Sequence, residues 1–179
     1  MLTKVDLHSH IRAGGGQRMA DRYAELGFDV LVGTDHVQKP PTSNFTSDYS
    51  DLEFDGVILN GSQFSQGKHI SYVESENESL RQINHPMRYG LDAGEINRLA
   101  ERIDADLVEV TEHAGKLDEY PTISDVVSDL KVKPSTTSDA HSVNSVGRGY
   151  IVVEIPELVG DEVIKNIKDG NYALYNSKF

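Results

Sequence analysis

Lys4-Val5-Asp6-Leu7-His8-Ser9-His10 and Phe28-Asp29-Val30-Leu31-Val32-Gly33-Thr34-Asp35-His36 decide the reading of the fold. In the first stretch Val5 and Leu7 alternate with Asp6, His8 and His10, which is the period of a strand. The second is a continuous apolar run suited to a parallel strand buried on both faces, and it also ends in polar residues. Between them Gly14-Gly15-Gly16 breaks the chain. Residues 17 to 27 then set Met19, Ala20, Tyr23, Ala24 and Leu26 at helical spacing, with Gly27 placed to end the helix. Strand, helix and strand in succession make a βαβ unit.

The alternation continues outward from this unit. Strands are expected at 56 to 60, 69 to 73, 81 to 85, 106 to 110, 132 to 138 and 149 to 154, and helices at 92 to 103, 121 to 130 and 157 to 169. Asp92 and Pro156 supply start signals for the first and last helices. Residues 37 to 55, polar and containing Pro40-Pro41, read as a long surface loop over the strand ends. Many short strands with few helices imply an α/β fold closed into a small, irregular barrel. With no repeat or linker, residues 1–179 are expected to form a single domain.

Composition narrows the function. No apolar run is long enough to cross a bilayer, and Met1-Leu2-Thr3-Lys4 leads straight into a strand, so a cytoplasmic protein without a membrane partner is expected. The absence of Cys excludes disulfides, a thiolate nucleophile and a Cys-type zinc site. A formal net charge of −12 repels polyanions, which makes long nucleic acid a poor ligand.

Potential metal ligands collect at the ends of the expected strands: His8 and His10, Asp35 and His36, His85, then Asp139 and His141. Parallel strands in an α/β fold share one C-terminal rim, so groups scattered in sequence converge there. Within His8-Ser9-His10 and Asp139-Ala140-His141 the i, i+2 spacing turns both side chains to the same side. Imidazole and carboxylate together suit zinc, manganese or iron.

Val5-Asp6-Leu7-His8-Ser9-His10, Gly33-Thr34-Asp35-His36, Asn84-His85-Pro86, and Thr137-Ser138-Asp139-Ala140-His141 followed by Val146-Gly147-Arg148 resemble, in this order, the motifs of the PHP (polymerase and histidinol phosphatase) family. The resemblance runs from residue 5 to about 155. It implies a distorted (β/α)7-type barrel with a metal site at the C-terminal rim and hydrolysis of phosphoesters. It also implies His8, His10 and Asp139 as ligands of a first metal, His36 and His141 of a second, and His85 with His69 of a third. Gln63 stands where the family has a Glu bridging two metals, and Gly15 where it usually has Asp or His. A neutral amide oxygen can ligate one cation but cannot bridge two with a full charge. Three divalent ions would meet one anionic ligand, Asp139, so one or two ions are expected.

Arg88 and Arg148 follow ligand motifs closely and are expected to bind the substrate phosphate, with Arg12 a weaker third candidate. Asp6, Asp35 and Glu109 are expected to orient the ligands, and Glu112 and His113 to lie near the rim or in a solvated loop. The expected function is hydrolysis of a small phosphomonoester or phosphodiester by a metal-activated water, with His8, His10, Asp139 and His141 as the catalytic set. The alternative is a degenerate PHP-like module that binds metal or ligand without turnover.

Overall fold

A computed structural model describes residues 1–37, 46–65, 67–110 and 128–176. In chain order its elements are β1 (Leu2–Val5), α1 (Ile11–Gly14), α2 (Gln17–Glu25), β2 (Val30–Val32), β3 (His36–Val37), β4 (Val57–Phe64), β5 (Ile70–Glu74) and β6 (Ser79–Ile83). A 3-10 turn (Pro86–Tyr89), α3 (Ala93–Ile103), β7 (Leu107–Glu109), β8 (Lys133–Ser135), a second 3-10 turn (Val143–Ser145), β9 (Gly149–Glu154), α4 (Gly160–Asp169) and β10 (Tyr172–Asn176) follow.

The strands form two sheets. The larger is a curled half-barrel in the order β2-β4-β5-β6-β7-β8, with β3 also paired to β4. Its flanks are parallel (β2 and β3 with β4, β6 with β7, β7 with β8), while β4-β5-β6 is an antiparallel meander. The smaller sheet, β1-β9-β10, is antiparallel throughout. The expected α/β class is present, but a uniform ring of parallel strands is not. The turn between β5 and β6, closed by the Ser75 N–H donating to the Glu78 carbonyl at 2.9 Å, is too short for a crossover helix, and antiparallel pairing is what such a connection permits.

Several boundaries move for local reasons. β1 stops at Val5 and pairs with Ile151 on β9, while His8-Ser9-His10 leaves the strand and touches the rest of the fold through a parallel bridge between Ser9 and Ala140. The run 28–36 gives only Val30–Val32 as regular strand before the chain turns into β3. Ile11–Gly14 forms a short helix that the glycine run concealed. The last helix begins at Gly160, four residues beyond Pro156, and β10 was not anticipated. Of the helix expected at 121 to 130, residues 121–127 lie outside the described residues, as do Glu112 and His113.

Packing explains why these elements hold. Val5, Leu7, Ile151 and Val153 from the small sheet meet Val30, Leu59, Val73 and Leu80 from the large one, with Val163, Ile164 and Ile167 of α4 in the same cluster. Met19, Ala20 and Tyr23 of α2 pack on Leu31, and Ile96, Leu99 and Ala100 of α3 pack on Ile83, Val108 and Met87. Burying each large aliphatic side chain contributes about 1.5–3 kcal/mol. Residues 46–55 are not the pure surface loop expected from their polarity. Tyr49 is fully buried, and a Cβ on Gly33 would fall inside its ring, so the glycine makes room for it.

Candidate metal centre

The polar edge of the large sheet gathers the histidines by two routes. His36 lies in β3, His85 just after β6, Glu109 at the end of β7, and Asp139 and His141 beyond β8. His69 immediately precedes β5, which runs antiparallel to β4 and β6. Its arrival at the same edge therefore comes from the beginning of a strand, because reversing a strand exchanges its ends.

At the centre, His8 Nε2 and His10 Nε2 are 3.2 Å apart, and each lies 3.2 Å from Asp139 Oδ1. Three donor atoms converge on one point, with both histidines fully buried. His10, His36 and His141 form a second group whose ligand atoms all lie within 4.8 Å of one another. The rings of His10 and His141 are 3.9 Å apart and those of His10 and His36 4.3 Å. His10 belongs to both groups, with Nε2 facing His8 and Asp139 and Nδ1 buried without a partner among the described residues. His69 Nδ1 and His85 Nε2 form a separate pair at 3.2 Å.

The protonation states suit metal ligation. Burial pushes His10 and His85 down to about 4, leaving neutral imidazoles at neutral pH. Burial opposes the Asp139 charge, but the His10 hydrogen bond and the neighbouring His8 and His85 hold its carboxyl well below the usual carboxylate range. His8 differs: burial disfavours its charged form, yet the Glu109 carboxylate at 2.9 Å from Nδ1 raises it overall. A cation would compete with a proton for Nε2 while Glu109 keeps the Nδ1–H, the carboxylate–imidazole relation common behind metal ligands.

The supporting carboxylates do three separate jobs. Glu109 Oε2 also accepts the His85 amide N–H at 3.2 Å, coupling β7 to the residue after β6. Asp6 accepts the His8 amide at 3.3 Å, the Ser138 amide at 3.0 Å, the Tyr23 hydroxyl at 2.7 Å and the Ser138 hydroxyl, and thereby fixes both ligand-bearing loops. Burial nonetheless pushes Asp6 up to about 6. Asp35 does not orient a histidine. Its carboxylate accepts the Arg12 and Ala13 amides at 2.9 and 3.0 Å and the Tyr49 hydroxyl at 2.8 Å, so it positions α1.

Gln63 is fully buried opposite His36 in the β3–β4 ladder, with its side-chain amide 2.7 Å from His8 Nε2. Its Oε1, like Glu109 Oε1 and His10 Nδ1, is a buried polar atom without a partner among the described residues. Such atoms at a cluster of neutral imidazoles and one ionised carboxylate fit a divalent cation.

The structure brings His8, His10, His36, Gln63, His69, His85, Asp139, His141 and Arg88 together. Arg88 Nη2 donates to Asp139 Oδ2 at 3.2 Å, and Nη1 lies 3.5 Å from His85 Nε2. Arg148 is exposed, and the neighbouring Gly147 lies near Leu26 and Phe28, ahead of β2, whereas His36 follows it. No hydrogen bond or ion pair joins Arg148 to the cluster among the described residues. Arg12 is tied to Asp51, with Nη1 donating to Oδ2 at 2.9 Å, and so holds residues 46–53 against α1. Sequence reasoning missed Tyr89, whose ring stands 5.6 Å from His69 and 5.7 Å from His85, and Ser65, 2.6 Å from His36 Nδ1. The signal for Tyr89 was Pro86, which starts the 3-10 turn that aims it.

Strain also marks the site. His85 and Asp139 have φ values of 30° and 47°, in the left-handed region that non-glycine residues rarely adopt. Both are candidate ligands, in keeping with the tendency of strained backbone to collect at functional positions.

No curated protein matches the chain by sequence. Residues 125–172 match the PHP-associated family. Among solved structures, a two-domain protein from Bacteroides vulgatus ATCC 8482, containing a predicted PHP-like metal-dependent phosphoesterase, superposes with a TM-score of 0.69 at 15% identity. That superposition covers 98% of this chain and 65% of the other, so the chain spans less than two thirds of that protein. PsfC from Pseudomonas syringae PB-5123 gives a TM-score of 0.66 at 17% identity, covering 98% of this chain and 91% of PsfC. At these identities the structural likeness is one of fold. The PHP-associated match is confined to residues 125–172, and what the chain shares with these solved structures is the half-barrel fold.

Proposed function

We propose that the chain is a metal-dependent phosphoesterase acting on a small phosphomonoester or phosphodiester. The observation that carries this reading is the convergence of His8, His10 and Asp139 on one point, with all three pairs of donor atoms 3.2 Å apart. These residues would hold one divalent ion, zinc, manganese or iron, and His10, His36 and His141 offer a second position that shares His10. Bound there, such an ion supplies Lewis acidity toward a phosphoryl oxygen and a water of lowered pKa.

The chain's own residues do the rest. Glu109 fixes the tautomer and direction of His8 through Nδ1, leaving Nε2 toward the cluster. Asp6 holds the His8 and Ser138 backbones, and so the relative position of the two ligand loops. Arg88, a third exposed and beside Asp139, presents a permanently charged fork to an anionic substrate. The net charge of −12 favours small phosphorylated compounds over long nucleic acid. Among the described residues no helix is long and apolar enough to cross a membrane.

A second reading, a PHP-like module that binds metal without turnover, is favoured by one residue. Gln63 places a neutral amide against His8 Nε2, where a carboxylate would add the charge that a multinuclear centre needs. The test is hydrolysis of a panel of phosphomonoesters and phosphodiesters by metal-loaded protein, with Asp139→Ala alongside. Turnover by wild type that falls to background in Asp139→Ala supports the phosphoesterase. Silence across the panel with retained metal supports the module, and turnover by rigorously metal-free protein would sink both readings.

A further inference from the structure

Arg88 is held between two candidate ligands, His85 and Asp139. It lies three residues after His85, which caps the 3-10 turn Pro86–Tyr89 in a left-handed conformation. The turn brings the guanidinium to the Nε2 edge of the imidazole. Pro86 and Met87 are buried, which anchors the turn. The result is a guanidinium with Nη1 3.5 Å from His85 Nε2 and Nη2 3.2 Å from Asp139 Oδ2. His85 Nε2 is also the atom that faces His69 Nδ1 at 3.2 Å. A second cation lies nearby, Lys68 Nζ, 4.7 Å from the centroid of the Tyr89 ring that flanks both histidines.

We propose that the Arg88 guanidinium takes the place of a divalent ion beside His69 and His85, so that the centre operates with a fixed organic cation at that position. Guanidinium does not lose its proton in proteins, so an incoming ion cannot relieve the repulsion by deprotonating it, as it could with lysine. The only carboxylate among the candidate ligands, Asp139, already faces His8 and His10 through Oδ1 and Arg88 through Oδ2. Gln63 adds no charge to compensate a further ion. This inference rests on the metal-centre reading above, but its test does not require turnover.

The experiment counts zinc bound per chain at saturating Zn²⁺ after gel filtration, with Co²⁺ absorption as a second readout of histidine ligation. Wild type, Arg88→Met, Arg88→Lys, His69→Ala and the double variant Arg88→Met/His69→Ala are compared, with circular dichroism to confirm folding and Arg88→Gln in reserve if the Met variant unfolds. Arg88→Met is expected to bind one more ion per chain than wild type. The double variant is expected to lose that gain, and Arg88→Lys, which keeps a cation there, to show less of it. His69→Ala alone is expected to leave the wild-type count unchanged. A folded Arg88→Met with the wild-type count, or a wild-type ion lost on His69→Ala, would overturn the inference. Failure of the metal-centre reading shows separately, as a count that Asp139→Ala does not reduce.

Discussion

His8 Nδ1 and Glu109 Oε2 stand 2.9 Å apart, with both side chains buried. The contact joins a loop near the amino terminus to the end of β7 and decides which nitrogen of His8 faces the cluster. Glu109→Gln keeps the shape and removes the charge, and it is expected to weaken metal binding by about 10- to 100-fold while the metal-free protein stays folded. Isothermal titration with Zn²⁺ measures this, and an unchanged affinity would show that Glu109 serves only packing.

Gln63→Glu places a carboxylate beside His8 Nε2, where the amide now lies at 2.7 Å. Even in an effective dielectric near 20, a charge a few ångströms from a divalent ion is worth several kcal/mol, so affinity should rise at least about tenfold despite desolvation. Metal-free, the same change should cost stability, because a buried carboxylate then lacks its cation. Metal titration and metal-free thermal melting should therefore move in opposite directions, and movement in the same direction contradicts the placement of Gln63 at the cation.

Asp104 ends α3 with a φ of 54° and an exposed side chain. Its ion pair with Arg81, at 3.8 Å on the surface, adds little. Asp104→Gly is expected to stabilise the fold by about 0.5–1 kcal/mol, since glycine adopts this conformation without strain. Chemical denaturation checks this, and a destabilised variant would mean that the Arg81 pair outweighs the backbone strain.

Asp161, at the start of α4, accepts hydrogen bonds from the Asn77 backbone and side-chain amides at 3.0 and 2.7 Å and from the Ser75 hydroxyl. These hold its carboxyl at about 2. A carboxylate depressed in the folded state contributes stability above its unfolded pKa, near 3.8, and that contribution is lost as pH falls through about 2. Asp161→Asn should therefore be less stable than wild type near neutrality, with the gap narrowing on acidification over this window. Melting curves across that range test it, and a constant gap would assign the contribution to shape alone.

The sequence by itself determined which side chains stand as candidate ligands and where helices α2 and α3 run. His8, His10, His36, His85, Asp139 and His141 are legible because chelation needs particular side chains at strand ends, and such positions are punctuated by Gly, Pro and Asp. Helix α3 is legible for a similar local reason: Asp92 accepts the Glu95 amide at 2.8 Å and Glu95 returns the bond at 3.1 Å, a reciprocal cap written in adjacent residues. Side-chain periodicity is the same for parallel and antiparallel partners and leaves strand direction open; the short connection to β6 reverses β5, which brings His69 to the centre by its first end. Tertiary structure alone separated Arg88 from Arg148, which sequence placed on equal terms. Arg88 reaches His85 Nε2 through a local turn, whereas the Arg148 position follows from packing of Gly147 near Leu26 and Phe28, distant in sequence and invisible to any motif. Tyr49 shows the same limit: its polar neighbours read as loop, yet the space above Gly33 and the carboxylate of Asp35 draw it into the core, since an apolar ring with one hydroxyl is most stable where both are satisfied.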